Sequence, residues 1–303
     1  MPVSTSAHIS HCVSKIIEVQ PRSVLDVGCG FGLWGFLCRE YLDVWNGRVQ
    51  PEEWQVRIDG IELFEPYIQA HHRALYSSIR IADIREAVRE IGEYDLILAG
   101  DVIEHLDKAD GERVVEQLYG RARRALIVNI PLGPGWEHPE QYGNPGELHR
   151  SQWEVEDFLG YPHEAQYYEM LCGQYGSFFC SKDVPAHARA GSLRAAGEYK
   201  ESRGDAEGAI RCLKQAHALA PDDEQCAILL TDLLLQRGDA NGAIAVLEAA
   251  IAARPAYHYG RYMLARLLVA LHRNAEAQDA LSALYAQPGA PQDVIDKARA
   301  LMG

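Results

Sequence analysis

Two patterns of hydrophobic and polar residues divide the 303-residue chain. In residues 1–183, short runs rich in β-branched residues alternate with amphipathic stretches, which predicts helices joining the strands of an open, mostly parallel sheet. The predicted strands are Ser23–Val27, Val56–Glu62, Ser78–Ala82, Tyr94–Ala99, Arg124–Ile130, Ala165–Leu171 and Ser177–Ser181. The last two runs are so close together that we expect an antiparallel hairpin at one edge. The first part of the chain is therefore predicted to be an α/β domain with a doubly wound, seven-stranded sheet.

From about residue 190 the sequence becomes helical and repeats itself. Arg203-Gly204-Asp205-Ala206 recurs as Arg237-Gly238-Asp239-Ala240, and Pro221 recurs as Pro255, each after 34 residues. Helix pairs with this period resemble the tetratricopeptide repeat. The resemblance covers about residues 190–289, with Gln292–Met302 as a solvating cap. It implies an all-α repeat domain at 190–303 that binds a protein partner or a second copy of the chain; packing on the first domain alone is the alternative.

The composition and the first residues of the chain indicate which class of protein this is. Hydrophobic residues make up 48% of the chain, enough for a packed core, and no apolar run approaches the roughly 20 residues that a membrane span needs. The first residues have neither the basic start nor the apolar core of a signal peptide, so we expect a cytoplasmic protein. The seven cysteines include no Cys-x-x-Cys pair, and neither a disulfide framework nor a zinc site is indicated.

Negative charge is concentrated in the first domain. Residues 1–183 contain 16 Lys and Arg against 29 Asp and Glu, so almost all of the net charge of −14 lies there. Such a surface repels polyanions, which argues against a long nucleic acid as the substrate.

The glycine-rich stretch after the first strand indicates a nucleotide-like cofactor. Residues 30–35 satisfy Gly-x-Gly-x-x-Gly, the dinucleotide fingerprint, but the strand ends at Val27, so Gly28 is the residue that closes it. The motif in that frame is Asp26-x-Gly28-x-Gly30-x-Gly32. A carboxylate at Asp26 would repel a pyrophosphate, whereas it suits the cationic amino-acid end of S-adenosylmethionine. A nicotinamide enzyme would also need a hydride-transfer His or Tyr-x-x-x-Lys arrangement, which we do not find.

Acidic residues follow the next strands in order. Glu62 ends the second strand, Asp83 and Ile84 follow the third, and Asp101 follows the fourth. With these residues, positions 10–183 resemble the class I S-adenosylmethionine-dependent methyltransferases. The resemblance implies that Glu62 accepts the ribose hydroxyls, that Asp83 and Ile84 lie at the adenine, and that Asp101 lies beside the methylsulfonium. We expect the sheet order 3-2-1-4-5-7-6.

Two segments carry the candidate catalytic groups. One is residues 100–106 after the fourth strand, and the other is the long stretch 131–153 after the fifth, which we expect to close over the acceptor. Asp101-x-x-Glu104-His105 resembles the Glu-x-x-Glu-His of ubiquinone-pathway O-methyltransferases and small-RNA 3′-terminal ribose 2′-O-methyltransferases, where these residues hold a divalent ion. That implies Mg²⁺ or Mn²⁺ at Asp101, Glu104, His105 and His149, although Asp is shorter than the usual Glu. The alternatives are His105 or His149 as a metal-free base, or a structural role for both.

The acceptor is the least constrained part of the prediction. The segment 131–153 combines the aromatic residues Trp136, Tyr142 and Trp153 with carboxylate, amide and imidazole groups, which suits a polyhydroxylated ligand. Methyltransferases fused to tetratricopeptide repeats in bacterial surface-glycan pathways are similar in plan. We therefore predict O-methylation of a sugar or glycan-related hydroxyl. Another small metabolite or a peptide is the alternative acceptor, and a repeat scaffold with an inactive methyltransferase fold is the alternative function.

Overall fold

The computed structural model describes residues 5–136 and 143–301. By its internal contacts the chain divides into two compact units, Met1–Val184 and Pro185–Gly303. Among the helices of the described ranges, none has the length and apolar character needed to cross a membrane.

The N-terminal unit is built on one seven-stranded sheet. Its strands are β1 (Ser23–Val27), β2 (Arg57–Glu62), β3 (Ser78–Ile81), β4 (Tyr94–Gly100), β5 (Ala122–Leu132), β6 (His163–Met170) and β7 (Gly173–Cys180). They lie in the order β3-β2-β1-β4-β5-β7-β6, which confirms the predicted order. The helices of this unit are α1 (Ile9–Val19), α2 (Leu33–Leu42), α3 (Ala70–Leu75), α4 (Ile84–Ala87) and α5 (Lys108–Arg121).

The two central strands form the core of the sheet. Residues 24–27 of β1 and 96–100 of β4 are all buried, and the two strands pair in parallel from Val24 with Leu96 to Val27 with Ala99. A parallel strand covered on both faces needs mostly apolar residues, which explains the continuous apolar run of β4; in β1 the buried Asp26 interrupts the run.

The antiparallel edge is longer than the sequence pattern predicts. We expected the hairpin loop to span residues 172–176, but only Leu171 and Cys172 form the turn, and β7 already begins at Gly173. The cause is β5, which continues to Leu132 and pairs Pro131 with Tyr175 and Leu132 with Gln174. Residues 173–176 are therefore part of the sheet, and Tyr175 is placed within it.

The C-terminal unit consists of helices in the described residues. These are α6 (Ala186–Ser202), α7 (Ala206–Leu219), α8 (Glu224–Gln236), α9 (Ala240–Ala253), α10 (His258–Ala270), α11 (Asn274–Ala286) and α12 (Gln292–Arg299). The first six pair as expected for three repeats, and the predicted helical repeat region is confirmed. Val294 and Ala298 of α12 join a buried cluster with Leu281 and Leu284 of α11.

The starts of the second helices differ among the three pairs. Asp205 and Asp239, one period apart, cap α7 and α9 by accepting hydrogen bonds from the backbone N–H groups of Gly208 and Gly242. Arg273 stands at the same position before α11 and provides no side-chain cap.

Candidate functional site

The turn after β1 brings backbone, rather than side chains, to the end of the sheet. Gly28, Gly30 and Gly32 have φ angles of 66°, 48° and 82°, a region that residues with a Cβ rarely adopt. Gly28 also lacks room for a side chain, since a Cβ there would lie 2.4 Å from Cγ2 of Val102. The turn before α2 therefore requires glycine for its shape.

A cavity of 310 Å³ opens at this turn, at the carboxyl ends of the parallel strands. Open α/β sheets bind ligands at this edge, and the volume lies at the lower end of the range of small-molecule sites. Six of the predicted cofactor residues line the cavity: Gly28, Gly30, Glu62, Asp83, Ile84 and Asp101. Gly32 precedes α2 instead, and Asp26 lies beneath the turn.

Glu62 is held on the cavity wall by two backbone N–H groups. Its Oε2 accepts a hydrogen bond from Gly30 at 3.0 Å, and its Oε1 accepts one from Phe64 at 2.9 Å. The side chain is 7% exposed, and burial raises the pKa of its carboxyl. Because each carboxylate oxygen can accept a second hydrogen bond, Glu62 can still receive hydroxyl groups from a ligand.

Asp83 is oriented by its own neighbours. It caps α4 by accepting a hydrogen bond from the backbone N–H of Arg85 at 2.9 Å, and the Arg85 side chain pairs with the same carboxylate. The Arg85 guanidinium holds the pKa of Asp83 below its usual value. The sequence pattern indicated Asp83 but not this ion pair, which neutralises the carboxylate at the cavity wall.

Asp26 is fully buried and does not line the cavity. Its Oδ2 accepts a hydrogen bond of 2.6 Å from the Tyr76 hydroxyl, whose oxygen accepts one of 3.1 Å from the N–H of Gly35. Burial raises the pKa of Asp26 to about 7. The carboxylate thus supports the start of α2 from below, and its predicted contribution to cofactor binding stays a prediction.

Asp101 has an unusual backbone conformation at the end of β4. Its φ is 53°, in the left-handed region that is rare for residues other than glycine. Its N–H donates to the carbonyl oxygen of Asn129 at 3.0 Å, and its Oδ1 accepts a hydrogen bond of 2.7 Å from the Tyr175 hydroxyl. Bonds to β5 and β7 therefore hold Asp101 at the cavity wall.

Glu104, His105 and His149 come together from the two predicted catalytic segments. One possible ligand atom from each lies within 4.8 Å of the others. The backbone fixes this approach, because the N–H groups of Arg150 and Ser151 both donate to the carbonyl oxygen of Glu104, at 2.8 and 3.1 Å. The structure thus joins residues that lie more than 40 positions apart in the sequence.

Asp101 is not in this cluster, so the four-residue set that the sequence suggested is not assembled. The Asp side chain is one methylene shorter than Glu, and Tyr175 holds its carboxylate. The described residues bring three of the four predicted metal ligands together.

The imidazoles of the cluster have defined orientations. Nδ1 of His149 lies 2.6 Å from the carbonyl oxygen of Trp136, and Nδ1 of His105 lies 3.3 Å from that of Leu148. A carbonyl oxygen only accepts, so both Nδ1 atoms carry a proton, which leaves Nε2 of each ring as the nitrogen that can accept. Burial, together with neighbouring His149, lowers the pKa of His105 to about 4, which keeps its ring neutral at pH 7.

Glu104 is the most isolated acid of the site. It is 1% exposed, and within the described ranges neither side-chain oxygen has a hydrogen-bond partner. Burial, reinforced by Asp101, raises the pKa of Glu104 well above its usual value. A buried carboxyl without a partner needs a proton or a cation.

A second cavity of 440 Å³ adjoins the cluster on the side of the segment after β5. Trp136, His149, Arg150 and Gln152 are among its lining residues. The expectation for Trp153 is corrected, because this side chain is 1% exposed and packs in the core against Phe158. Tyr142 lies outside the described residues. Of the three predicted aromatic residues, Trp136 is therefore the one that lines a cavity within the described part of the segment.

Three residues of the cavity walls were not singled out by the sequence patterns. Glu147 is buried and accepts a hydrogen bond of 2.9 Å from the Tyr67 hydroxyl, which ties the segment after β5 to the one after β2. Arg150 lines both cavities. In the sequence, Arg150 could have been recognised as a site residue only because it directly follows His149.

Comparison with known proteins distinguishes the two parts of the chain. Residues 202–256 and 234–292 match the family model of the tetratricopeptide repeat. No curated protein sequence matches the chain. Matches to solved structures of S-adenosylmethionine-dependent methyltransferases fall in the N-terminal 57% of the chain.

Three of these structures illustrate the distance of the similarity. Magnesium protoporphyrin IX methyltransferase from Synechocystis is 14% identical over 57% of this chain and 77% of that one, with a TM-score of 0.40. An O-methyltransferase family protein from Burkholderia thailandensis is 12% identical over 57% and 55%, with a TM-score of 0.40, so the match spans about half of that protein. The methyltransferase domain of bacterial CtHen1 is 19% identical over 57% and 95%, with a TM-score of 0.38.

Proposed function

We propose that this chain is an S-adenosylmethionine-dependent methyltransferase that acts on a hydroxyl group of a sugar or a sugar-bearing molecule. The observation that carries the proposal is the 310 Å³ cavity, in which a glycine turn faces acidic residues from the ends of three successive strands. Beside it, Glu104, His105 and His149 converge where an acceptor would approach.

The residues of the first cavity fit the cofactor. Glu62, with its oxygens fixed by backbone N–H groups, would accept the ribose hydroxyls, and Asp83 and Ile84 would lie at the adenine. Gly28 and Gly30 line the cavity and have no side chains that would keep the cofactor from the backbone. Asp101 would face the methionine part. The bound cofactor supplies an electrophilic methyl group on sulfur.

Methyl transfer to a hydroxyl also requires that a proton be removed and that the acceptor be aligned. With Nδ1 of each ring at a carbonyl oxygen, Nε2 of His105 and of His149 would be the nitrogen that takes a proton from a hydroxyl. This favours a hydroxyl over a carboxylate as the methyl acceptor, because a carboxylate has no proton to lose.

As the alternative to general-base catalysis, we propose that Glu104, His105 and His149 hold a divalent cation, in which case the imidazole nitrogens are ligands and not bases. Buried carboxylate oxygens without a partner next to two imidazole nitrogens form an oxygen- and nitrogen-containing donor set suited to such ions. The carbonyl oxygens at both Nδ1 atoms would orient the rings, as outer contacts do in metal sites. A cation bound there would polarise an acceptor oxygen.

The second cavity supports a sugar-like acceptor. The Trp136 indole can stack on the apolar face of a sugar ring, and Gln152 and Arg150 offer hydrogen-bond donors around it. The repeats add a second function, since tetratricopeptide helix pairs generally present a surface for another protein. We propose that residues 185–303 bind a protein partner or a second copy of the chain.

Calorimetry with S-adenosylmethionine and S-adenosylhomocysteine tests the cofactor, and failure to bind either would overturn the methyltransferase proposal. Cofactor with a labelled methyl group should then be offered with nucleotide sugars, free glycans and peptides. We expect label in an ether linkage to a sugar-bearing product. Transfer only to a carboxylate, an amine or a thiol would contradict the hydroxyl assignment.

A further inference from the structure

Arg150 holds a fixed place between the two cavities. Its backbone N–H donates to the carbonyl oxygen of Glu104 at 2.8 Å, so it is anchored to the segment that carries Glu104 and His105. It directly follows His149, and it is a lining residue of both the first and the second cavity. Arg150 is therefore placed next to the site of the proposed reaction.

Arg150 differs in its charge environment from the other arginine of the first cavity. Arg85 is neutralised by Asp83 at the same wall. Elsewhere in this unit, Arg57 pairs with Asp59 and Arg123 with Glu93. Within residues 5–136 and 143–301, the Arg150 side chain has neither an ion pair nor a hydrogen bond, although acids outnumber bases by 29 to 16 in residues 1–183. An unpaired guanidinium in so acidic a unit is available to an anionic ligand.

The second cavity has the matching composition. Its described lining residues all lie between Pro131 and Gln152. None of them is acidic, whereas the first cavity is lined by four carboxylates. Arg150 supplies a planar fork of N–H donors that matches a carboxylate or a phosphate, and Gln152 supplies an amide.

We propose that the methyl acceptor carries a carboxylate or a phosphate, and that Arg150 binds this group while the acceptor hydroxyl lies at Glu104, His105 and His149. This inference rests on the proposed function and specifies its substrate class as a small anionic molecule, such as a uronate or a sugar phosphate. The net negative charge of the unit still disfavours long polyanions, because one guanidinium can serve only one or two anionic groups.

Titration calorimetry on protein saturated with S-adenosylhomocysteine can test the proposal with glucose, glucuronate and glucose 6-phosphate as probes. We expect both anions to bind at least tenfold more tightly than glucose, and the better of the two identifies the preferred group. Arg150→Gln should weaken anion binding by about 10- to 100-fold, as expected for lost charge-assisted hydrogen bonds. Arg150→Lys should restore part of it. Arg123→Gln, an exposed and ion-paired arginine of the same unit, is the matched control and should change nothing.

Two results would overturn the proposal. One is wild-type protein that binds neither anion more tightly than glucose. The other is a tenfold or greater loss of S-adenosylhomocysteine affinity in Arg150→Gln, which would assign the guanidinium to the carboxylate of the cofactor. If the wild-type protein fails to bind S-adenosylhomocysteine at all, the proposed function fails, and the same titrations without it still report on the anion site.

Discussion

Tyr175 donates its hydroxyl proton to Oδ1 of Asp101 across 2.7 Å, and this bond joins the antiparallel edge of the sheet to the residue that follows β4. Tyr175 is 2% exposed, so its hydroxyl cannot turn to solvent instead. The ring also contacts Trp136, whose carbonyl oxygen orients His149. One tyrosine thus touches elements of both cavities.

We expect Tyr175→Phe to fold normally but to bind S-adenosylmethionine about tenfold more weakly. The hydrogen bond to a carboxylate is lost, at about 1.5–3 kcal/mol, while the ring continues to pack. Calorimetry measures the affinity. Tyr168→Phe, which removes a hydroxyl bonded to Gln166 on β6, is the control; equal affinities for the two variants would contradict a positioning role for Tyr175.

Glu62→Ala should weaken cofactor binding by at least tenfold, because it removes charge-assisted hydrogen bonds to the ribose. Asp26→Asn should change the affinity less than about threefold, since Asp26 does not line the cavity and Asn can still accept the Tyr76 hydroxyl. Calorimetry on both variants checks this contrast. The reverse order of effects would place the decisive charge beneath the glycine turn.

The patterns in the sequence predicted the strands and the glycine turn because these depend on local periodicity and on backbone conformation, whereas the strand order was predicted from the resemblance to class I methyltransferases. They did not predict Tyr175 as a sheet residue, since its pairing depends on β5, about 45 positions away. Trp153 lies in a segment whose composition is typical of a binding site, but its side chain is buried in the core. Composition alone cannot distinguish an aromatic residue of the core from one that lines a cavity. The pairing of Asp83 with Arg85 also depends on side-chain geometry rather than on pattern.

If Glu104, His105 and His149 hold a divalent cation, removal of metal by a chelator should abolish turnover, and Mg²⁺ or Mn²⁺ should restore it. Glu104→Gln and His149→Ala should weaken Mn²⁺ binding, measured by electron paramagnetic resonance. Asp101→Ala should leave Mn²⁺ affinity nearly unchanged, because Asp101 is outside the cluster. If chelators have no effect while His149→Ala lowers the rate by about 10²- to 10⁴-fold, general-base catalysis replaces the metal.

His8 should make the protein sensitive to acid. It is fully buried against Tyr175, and burial lowers its pKa to about 4. Between pH 6.5 and 4 the unfolded chain binds a proton at His8 that the folded chain does not, so the free energy of unfolding falls as the pH falls, by up to about 3 kcal/mol. His8→Phe should remove that part of the loss in denaturant titrations across this range. Exposed His71→Phe is the control, and an identical slope in both variants would contradict the prediction.

A chain truncated after Val184 should bind S-adenosylmethionine as tightly as the full chain, because every described residue that lines the first cavity precedes this point. Light scattering on both forms should show any self-association only in the full chain. Precipitation of the truncated chain, or loss of cofactor binding, would mean that the repeats complete the core of the first unit.

Asp205 and Asp239 are replaced by Arg273 at the same position of the third repeat, and we expect the repeats to differ in local stability as a result. A side-chain cap contributes about 1 kcal/mol, so α11, which starts without one, has less support than α7 or α9. In a stack whose units contact only their neighbours, such a difference lets one end open independently. Amide hydrogens of α11 and α12 should therefore exchange with solvent before those of α7, and the chain has a built-in direction in which its repeats fray.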